Sequence, residues 1–539
     1  MALAPNTSGT VPVLPDAELN GQPEIPETVT ALESIIGSDD LTVPAYPGED
    51  TRPTSEKELR AWYAYAWAAE PYVVVAISTF IPLTLEALAR ENGHLLGHPE
   101  IPCTPKALPI PIPPRSLAPD PNQCIVYPFG IRMASSSFAM YTFSVSVLLQ
   151  SLVIVSMSGA ADHGSYRKKL LLLFAVLGSV STMLFIVVRP GAYPLAALWT
   201  VLSNVSFGAS FVLLNAFLPV LVRNHPVVQS QHKTSILTDD DMDDPQTETD
   251  ALIASPSSQS ATVAALALST RISSTGVAIG YLAGALLQVV AIFIVRGASS
   301  PILGLELILF IVGLWWAGFS IFVGMWMRPR PGPPLPRMNG KQRTLEEEEK
   351  IGWEAVGYAW RKLWVTIRLA KQLKDVMLFL AAWFCMSDGI ATVTSTAVLF
   401  AKTELQMEPA ALAFMSVIGT ACGITGAFAW PVVSRLSFLN LTPPRTVLLC
   451  VSLMACVPAY GLLGFLPIVK RLGWGGLTHK AEMYGVGAVY GFAMSGVSAY
   501  ARSVFGELIP PGSESALFAL YAITDKGTLI RFPLTTKLS

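Results

Sequence analysis

The sequence predicts an all-α integral membrane protein built as two pseudo-repeated helical bundles, and three observations predict it. Of 539 residues, 52% are hydrophobic and only 14% are charged. A mean hydropathy of +0.49 is too high for a surface that faces water, so lipid must be the solvent. Ten apolar runs are long enough, at 1.5 Å of rise per residue, to cross about 30 Å of hydrocarbon. A basic stretch divides those runs into six and four, as expected of a repeated bundle.

Residues 1–60 are rich in Pro, Asp, Glu and Thr and lack the basic start and apolar core of a cleavable signal. They read as a disordered cytosolic tail. Spans at 62–85, 137–158, 169–189, 195–222, 266–295 and 302–327 then make a six-helix bundle over 61–327. Its first loop, 86–134, carries Cys103 and Cys124, which are free to pair or to stay reduced if that loop is lumenal or extracellular. Its fourth connection, 224–260, has Asp239, Asp240, Asp241, Asp243 and Asp244 among Ser, Thr and Gln, and reads as a disordered cytosolic loop. The linker 328–375 carries Arg328, Arg330, Arg337, Lys341 and further basic residues, which places it in the cytosol, together with Arg167, Lys168 and Lys169 and the N-terminus. An aromatic stretch around Trp353, Tyr358, Trp360 and Trp364 reads as a helix lying at the membrane interface. Spans at 376–400, 409–432, 445–468 and 482–505 complete an incomplete second bundle over 376–539. In this topology the sequons at Asn6, Asn204 and Asn440 stay unglycosylated.

Composition also excludes function classes. The net charge of −2 hides basic residues gathered in loops, with no basic domain for nucleic acid. Six cysteines form no CxxC pair or Cys/His cluster, so neither a metal site nor a cofactor is expected. Cys385, Cys422, Cys450 and Cys456 lie in apolar runs, where a thiol acts as a small hydrophobe. No HExxH or GxSxG motif points to an enzyme.

Ionisable groups inside spans carry the functional signal, because each costs roughly 2.5–3.5 kcal/mol at mid-membrane unless it meets a polar cavity or a partner. Glu70 in the first span and Asp388 in the seventh are the two clear cases, in matching Ala-Trp contexts of the two halves. Pro71 and Gly389 follow them directly and predict broken helices around a central site for substrate or proton. Asn204 and Asn215 lie three turns apart on the fourth span, where an amide serves either interhelical packing or substrate contact. Gly276, Gly280 and Gly284 form a ridge for close packing on the fifth.

Between the second and third spans runs Gly159-Ala-Ala-Asp162-His-Gly164-Ser-Tyr-Arg167-Lys168-Lys169, which resembles the cytosolic loop motif of the major facilitator superfamily. There Asp162 is positioned to cap the following helix, and the basic residues hold the loop in the cytosol. Four longer patches, Glu58 to Pro71, Ile272 to Tyr281, Ala382 to Thr392 and Glu507 to Tyr521, resemble the fungal vacuolar amino-acid effluxer family, autophagy-related protein 22. That resemblance implies a twelve-helix major facilitator fold in the vacuolar membrane. It also implies export of leucine and other neutral amino acids to the cytosol after autophagic breakdown. Against it, the chain stops at Ser539, short of the last two helices. The expected mechanism is alternating access, with protons as possible co-substrates; a non-transporting membrane receptor or scaffold, acting through its cytosolic loops, is the alternative.

Overall fold

The computed structural model describes residues 49–96, 98–103, 124–231, 256–333, 373–407, 409–436, 441–467, 469 and 475–526. The expected disordered tail up to residue 48, the acidic run at 239–244 and the interfacial stretch at 353–364 lie outside the described residues.

The first span is one continuous helix in three parts: α1 (Glu56–Pro71), a π-helical stretch (Tyr72–Phe80) and α2 (Ile81–Glu91). It starts where Ser55 caps the backbone of Glu58 while the Glu58 carboxylate reaches back to the Ser55 amide at 3.0 Å. This reciprocal pairing satisfies two of the amides a helix start leaves free. Four short strands follow, β1 (His94–Leu95), β2 (His98–Pro102), β3 (Cys124–Val126) and β4 (Met133–Ala134), in the order β2-β1-β3-β4 with antiparallel pairings. Cys103 and Cys124 are joined in a disulfide, with Cα atoms 5.9 Å apart, which resolves the pairing left open by the sequence. We call this end of the molecule the disulfide end.

The remaining spans of the first half are α3 (Ser135–Ala161), α4 (Tyr166–Met183), α5 (Tyr193–Arg223), α6 (Pro256–Gly297) and α7 (Pro301–Trp326). The helix expected to begin at 266 begins at Pro256, so the connection before it is shorter than 224–260. In the second half come α8 (Lys374–Thr403), α9 (Pro409–Val433), α10 (Pro443–Leu463), α11 (Lys480–Glu507) and α12 (Glu514–Lys526). Among the described residues nine helical stretches are long and apolar enough to cross a membrane. The tenth expected span is α11, whose Gly, Ala, Ser and Tyr residues make it less apolar. It sits inside the fold, with Ala493, Val497 and Ala501 fully buried, so it needs small residues more than greasy ones.

Packing follows from those small residues. The ridge Gly276, Gly280 and Gly284 of α6 receives Trp62, Glu70 and Val74 of the first span. Gly491 of α11 lies directly on the backbone of Gly419 in α9. Helix α6 also packs against α9 and α11, so it belongs to the seam between the halves. Helix α12 packs on α3 and α5 of the first half as well as on α8. The two halves thus meet along helices from both.

Candidate translocation site

Glu70 is held by its neighbours in sequence and across the seam. Pro71 has no amide proton to donate to the carbonyl of Trp67 four residues earlier. The indole of Trp315 on α7 donates to that carbonyl instead, at 3.0 Å. The backbone then passes into the π-helical stretch without a break. Helix α8 likewise runs as an unbroken α-helix through Gly389. The expected broken helices are therefore absent at both places: at the first a tryptophan supplies the missing donor, and at the second glycine costs propensity without removing a hydrogen bond. Tyr72, one residue beyond Pro71, is wedged between Phe207 and Trp316, with ring centroids 5.3 and 5.2 Å away, and its hydroxyl lies 2.7 Å from that of Ser203. Gly280 completes the seat of Glu70, since a Cβ there would stand 2.8 Å from the Glu70 Cβ.

Glu70 lines a cavity of about 400 Å³ in the seam. Val73, Val74 and Ser78 of the first span and Tyr281 of α6 form one wall; Thr394, Ser416, Thr420, Met483 and Tyr490 belong to the other. All the α8, α9 and α11 residues among them come from the parts of those helices nearer the disulfide end. The lining is mostly apolar, with six hydroxyl-bearing residues and one carboxylate, the usual make-up of a small-molecule site.

Sequence reasoning missed a buried cation, Arg502 of α11. It is 9% exposed, and its guanidinium carbon stands 5.2 Å from the Phe211 ring and 6.0 Å from the Trp62 ring, both on the first half. The intramembrane cost that singled out Glu70 applies to Arg502 too, but Arg502 lies near the end of its expected span, where a long cation ordinarily snorkels to the interface.

The other sequence candidates lie elsewhere. Asp388 is on the exposed side of α8, because its neighbour Ser387 faces α12 and donates to the Asp525 carbonyl at 2.7 Å. Trp383 on that same inner side stacks on Tyr521 at 4.6 Å. Asp388 and Glu70 are not brought together. Asn204 is buried between α5 and α3, where its side-chain amide donates to Ser146 at 2.6 Å and its backbone carbonyl accepts from Gln150 at 2.6 Å. Asn215 is buried in α5 with its side-chain oxygen lacking a hydrogen-bond partner. Neither asparagine lines the cavity.

At the opposite, basic end the loop motif builds a closed cluster. Gly159 is buried in the last turn of α3, Gly164 takes a φ of +47°, and Arg167 folds back so that its guanidinium reaches Asp162 at 3.2 Å and Glu514 at 3.0 Å. The expected cap on the next helix is corrected: Asp162 caps α12, accepting the amides of Ser515 and Ala516 at 2.7 and 2.9 Å. Ser165, not Asp162, stands at the start of α4, and Asp162 is drawn across the seam by the exposed amides and positive end of α12. Arg223 of α5 adds a second cation 3.8 Å from Glu514 and pairs with Glu49 at 2.6 Å. Behind the motif, Gly332 donates to the Gly164 carbonyl at 2.9 Å and Arg330 pairs with the buried Glu58 at 3.0 Å. Charges of both signs meet, which is what makes their burial tolerable. The consequence is a basic end where the halves are tied together.

A family model described as "Vacuole effluxer Atg22 like" matches residues 54–538. The chain belongs to the Atg22-like vacuole effluxer family. It is 49% identical over 529 residues to Autophagy-related protein 22-2 of Sclerotinia sclerotiorum, covering 92% of this chain and 78% of that one. With Autophagy-related protein 22-1 of Penicillium rubens it shares 48% identity, over 91% of this chain and 86% of the relative. Among solved structures it resembles the proton:xylose symporter XylE, with a TM-score of 0.51 at 12% identity over 89% of this chain and 88% of that one. It also resembles the human organic anion transporter TETRAN, with a TM-score of 0.50 at 15% identity over 89% and 93% of the two chains. The fold of this Atg22-like effluxer is thus that of the major facilitator superfamily.

Proposed function

We propose that this Atg22-like effluxer carries leucine and other neutral amino acids from the vacuole lumen to the cytosol by alternating access, with its basic end in the cytosol and its disulfide end in the lumen. The observation that carries the reading is the cavity of about 400 Å³ between the halves, toward the disulfide end, while the basic end is tied by Asp162, Arg167 and Glu514. A cavity toward one end and a tie at the other is the arrangement a carrier needs in its lumen-facing state. Sidedness is supported by the basic residues at one end and the disulfide at the other. The apolar cavity lining suits aliphatic side chains, and the Glu70 carboxylate suits an ammonium group or a proton leaving an acidic lumen.

The test is efflux of labelled leucine from intact vacuoles, with and without the protein. Glu70→Gln is expected to reduce efflux at least tenfold, while Asp388→Asn, on the exposed side of α8, is expected to leave it within about twofold of the parent. Vacuoles that carry the protein in their membrane and release no amino acid faster than vacuoles without it would overturn the reading.

A further inference from the structure

We infer that Glu49, in the segment leading into α1, sets the strength of the tie at the basic end by holding Arg223 off the Glu514 carboxylate. The inference concerns the regulation of the transport proposed above and rests on that reading for the meaning of the tie. Residues 49–54 run as a strap across the basic end, pinned on two sides. On one side is the end of α5 and the turn after it. There the Thr54 amide donates to the Asn224 carbonyl at 2.8 Å, the Thr54 hydroxyl to the Leu221 carbonyl at 2.9 Å, and the Gln229 side-chain amide to the Thr51 carbonyl at 3.3 Å. On the other side is the start of the linker, where the buried Arg330 donates to the carbonyls of Asp50 and Arg52 at 2.8 and 2.7 Å while it pairs with Glu58. A segment held by this many bonds keeps its place, and it sets the Glu49 carboxylate beside Arg223.

Arg223 is shared between the strap and the second half. One terminal nitrogen of its guanidinium lies 2.6 Å from the Glu49 carboxylate, and the other lies 3.8 Å from Oε1 of Glu514. The first distance is a hydrogen bond and the second is too long for one. Glu514 is buried, and its Oε2 accepts from Arg167 at 3.0 Å and from the Gly512 amide at 3.1 Å. Its Oε1 accepts no hydrogen bond among the described residues. A buried carboxylate oxygen without a donor is costly, and the cation just out of reach is the group able to relieve it. Glu49 keeps that cation back, because a rigid planar guanidinium fixed by one prong cannot swing the other closer without giving up the shorter bond. Freed of Glu49, Arg223 closes on Oε1 and adds a second charge-assisted hydrogen bond between the halves. The strap thus keeps the tie weak enough to open, and Glu49 acts in the opposite direction to Arg167, which strengthens it.

The experiment uses the full chain in proteoliposomes, with its four free cysteines replaced by alanine and Ser515→Cys added, and reads the rate of maleimide labelling from the basic side. Glu49→Gln, which keeps the size of the side chain and removes its charge, should slow labelling about tenfold, the effect of one added charge-assisted hydrogen bond. Glu49→Asp, which keeps the charge on a shorter stem, should slow it less. In an Arg223→Gln background Glu49→Gln should change nothing, since the cation through which it acts is gone. Labelling of the Glu49→Gln protein at the parent's rate or faster overturns the inference, and so does slowing that persists without Arg223. Should Glu49→Gln fail to fold, Glu49→Asp labelled as fast as the parent overturns it equally. Labelling needs no transport, so slowed labelling in a protein that exports no leucine would uphold the control of the tie and refute the transport reading alone.

Discussion

Asp162 accepts two backbone amides from a helix that begins more than 350 residues later in the chain. Its carboxylate replaces the water those amides would otherwise need, at the positive end of α12. Asp162→Ala should therefore leave the Ser515 and Ala516 amides unpaired and lower unfolding stability in detergent by about 1–3 kcal/mol, and Asp162→Asn, which keeps an acceptor, should lose less. Arg167→Ala should do more harm, about 3–5 kcal/mol to the tied state, because it removes the cation that bridges the buried carboxylates of Asp162 and Glu514. A transporter so loosened should spend more time with its basic end open, seen as faster labelling of a cysteine placed at Ser515. Unchanged labelling would mean that the cluster does not hold that end shut.

At the scale of elements, the first span shows how one proline changes helix geometry without breaking it. Pro71 removes a donor, Trp315 supplies one from α7, and the next nine residues wind as a π-helix. Trp315→Phe keeps the ring but leaves the Trp67 carbonyl without its partner, so stability should fall by about 1 kcal/mol, measured by thermal unfolding. The glycine ridge of α6 makes a sharper prediction. A leucine at Gly280 would drive its side chain into Glu70, and should cost about 1–3 kcal/mol by overpacking while displacing the carboxylate from the cavity. Leucine uptake by Gly280→Leu should then fall as steeply as in Glu70→Gln; uptake that survives would show that Glu70 need not stay in its seat.

For the whole molecule, the cavity toward one end and the charge cluster at the other predict a one-sided accessibility. Ser416 lies in the cavity lining, and Ser416→Cys, in a chain whose four free cysteines are replaced by alanine, should react with an impermeant maleimide added from the lumen and not from the cytosol. Saturating leucine should slow that reaction at least tenfold if the substrate occupies the cavity. Equal labelling from both sides would refute the sidedness.

Much of this architecture was legible in the chain. Runs such as 169–189 and 302–327 are too apolar to face water, so their helices α4 and α7 were set by length and hydropathy alone, and Glu70 and the Gly159 to Arg167 motif stood out by the cost of burial and by pattern. What the sequence determined by itself was therefore each residue's solvent: which stretches enter lipid, which loops carry charge, and which buried charges need a partner. The partners were decided only by the tertiary structure. Helical periodicity alone did not tell that Ser387, not Asp388, would face α12, that Asp162 would cap that helix instead of its neighbour in sequence, or that Arg502 would stand against the rings of Phe211 and Trp62. Those pairings depend on the rotation of each helix and on contacts made hundreds of residues apart, and local hydropathy carries no information about either.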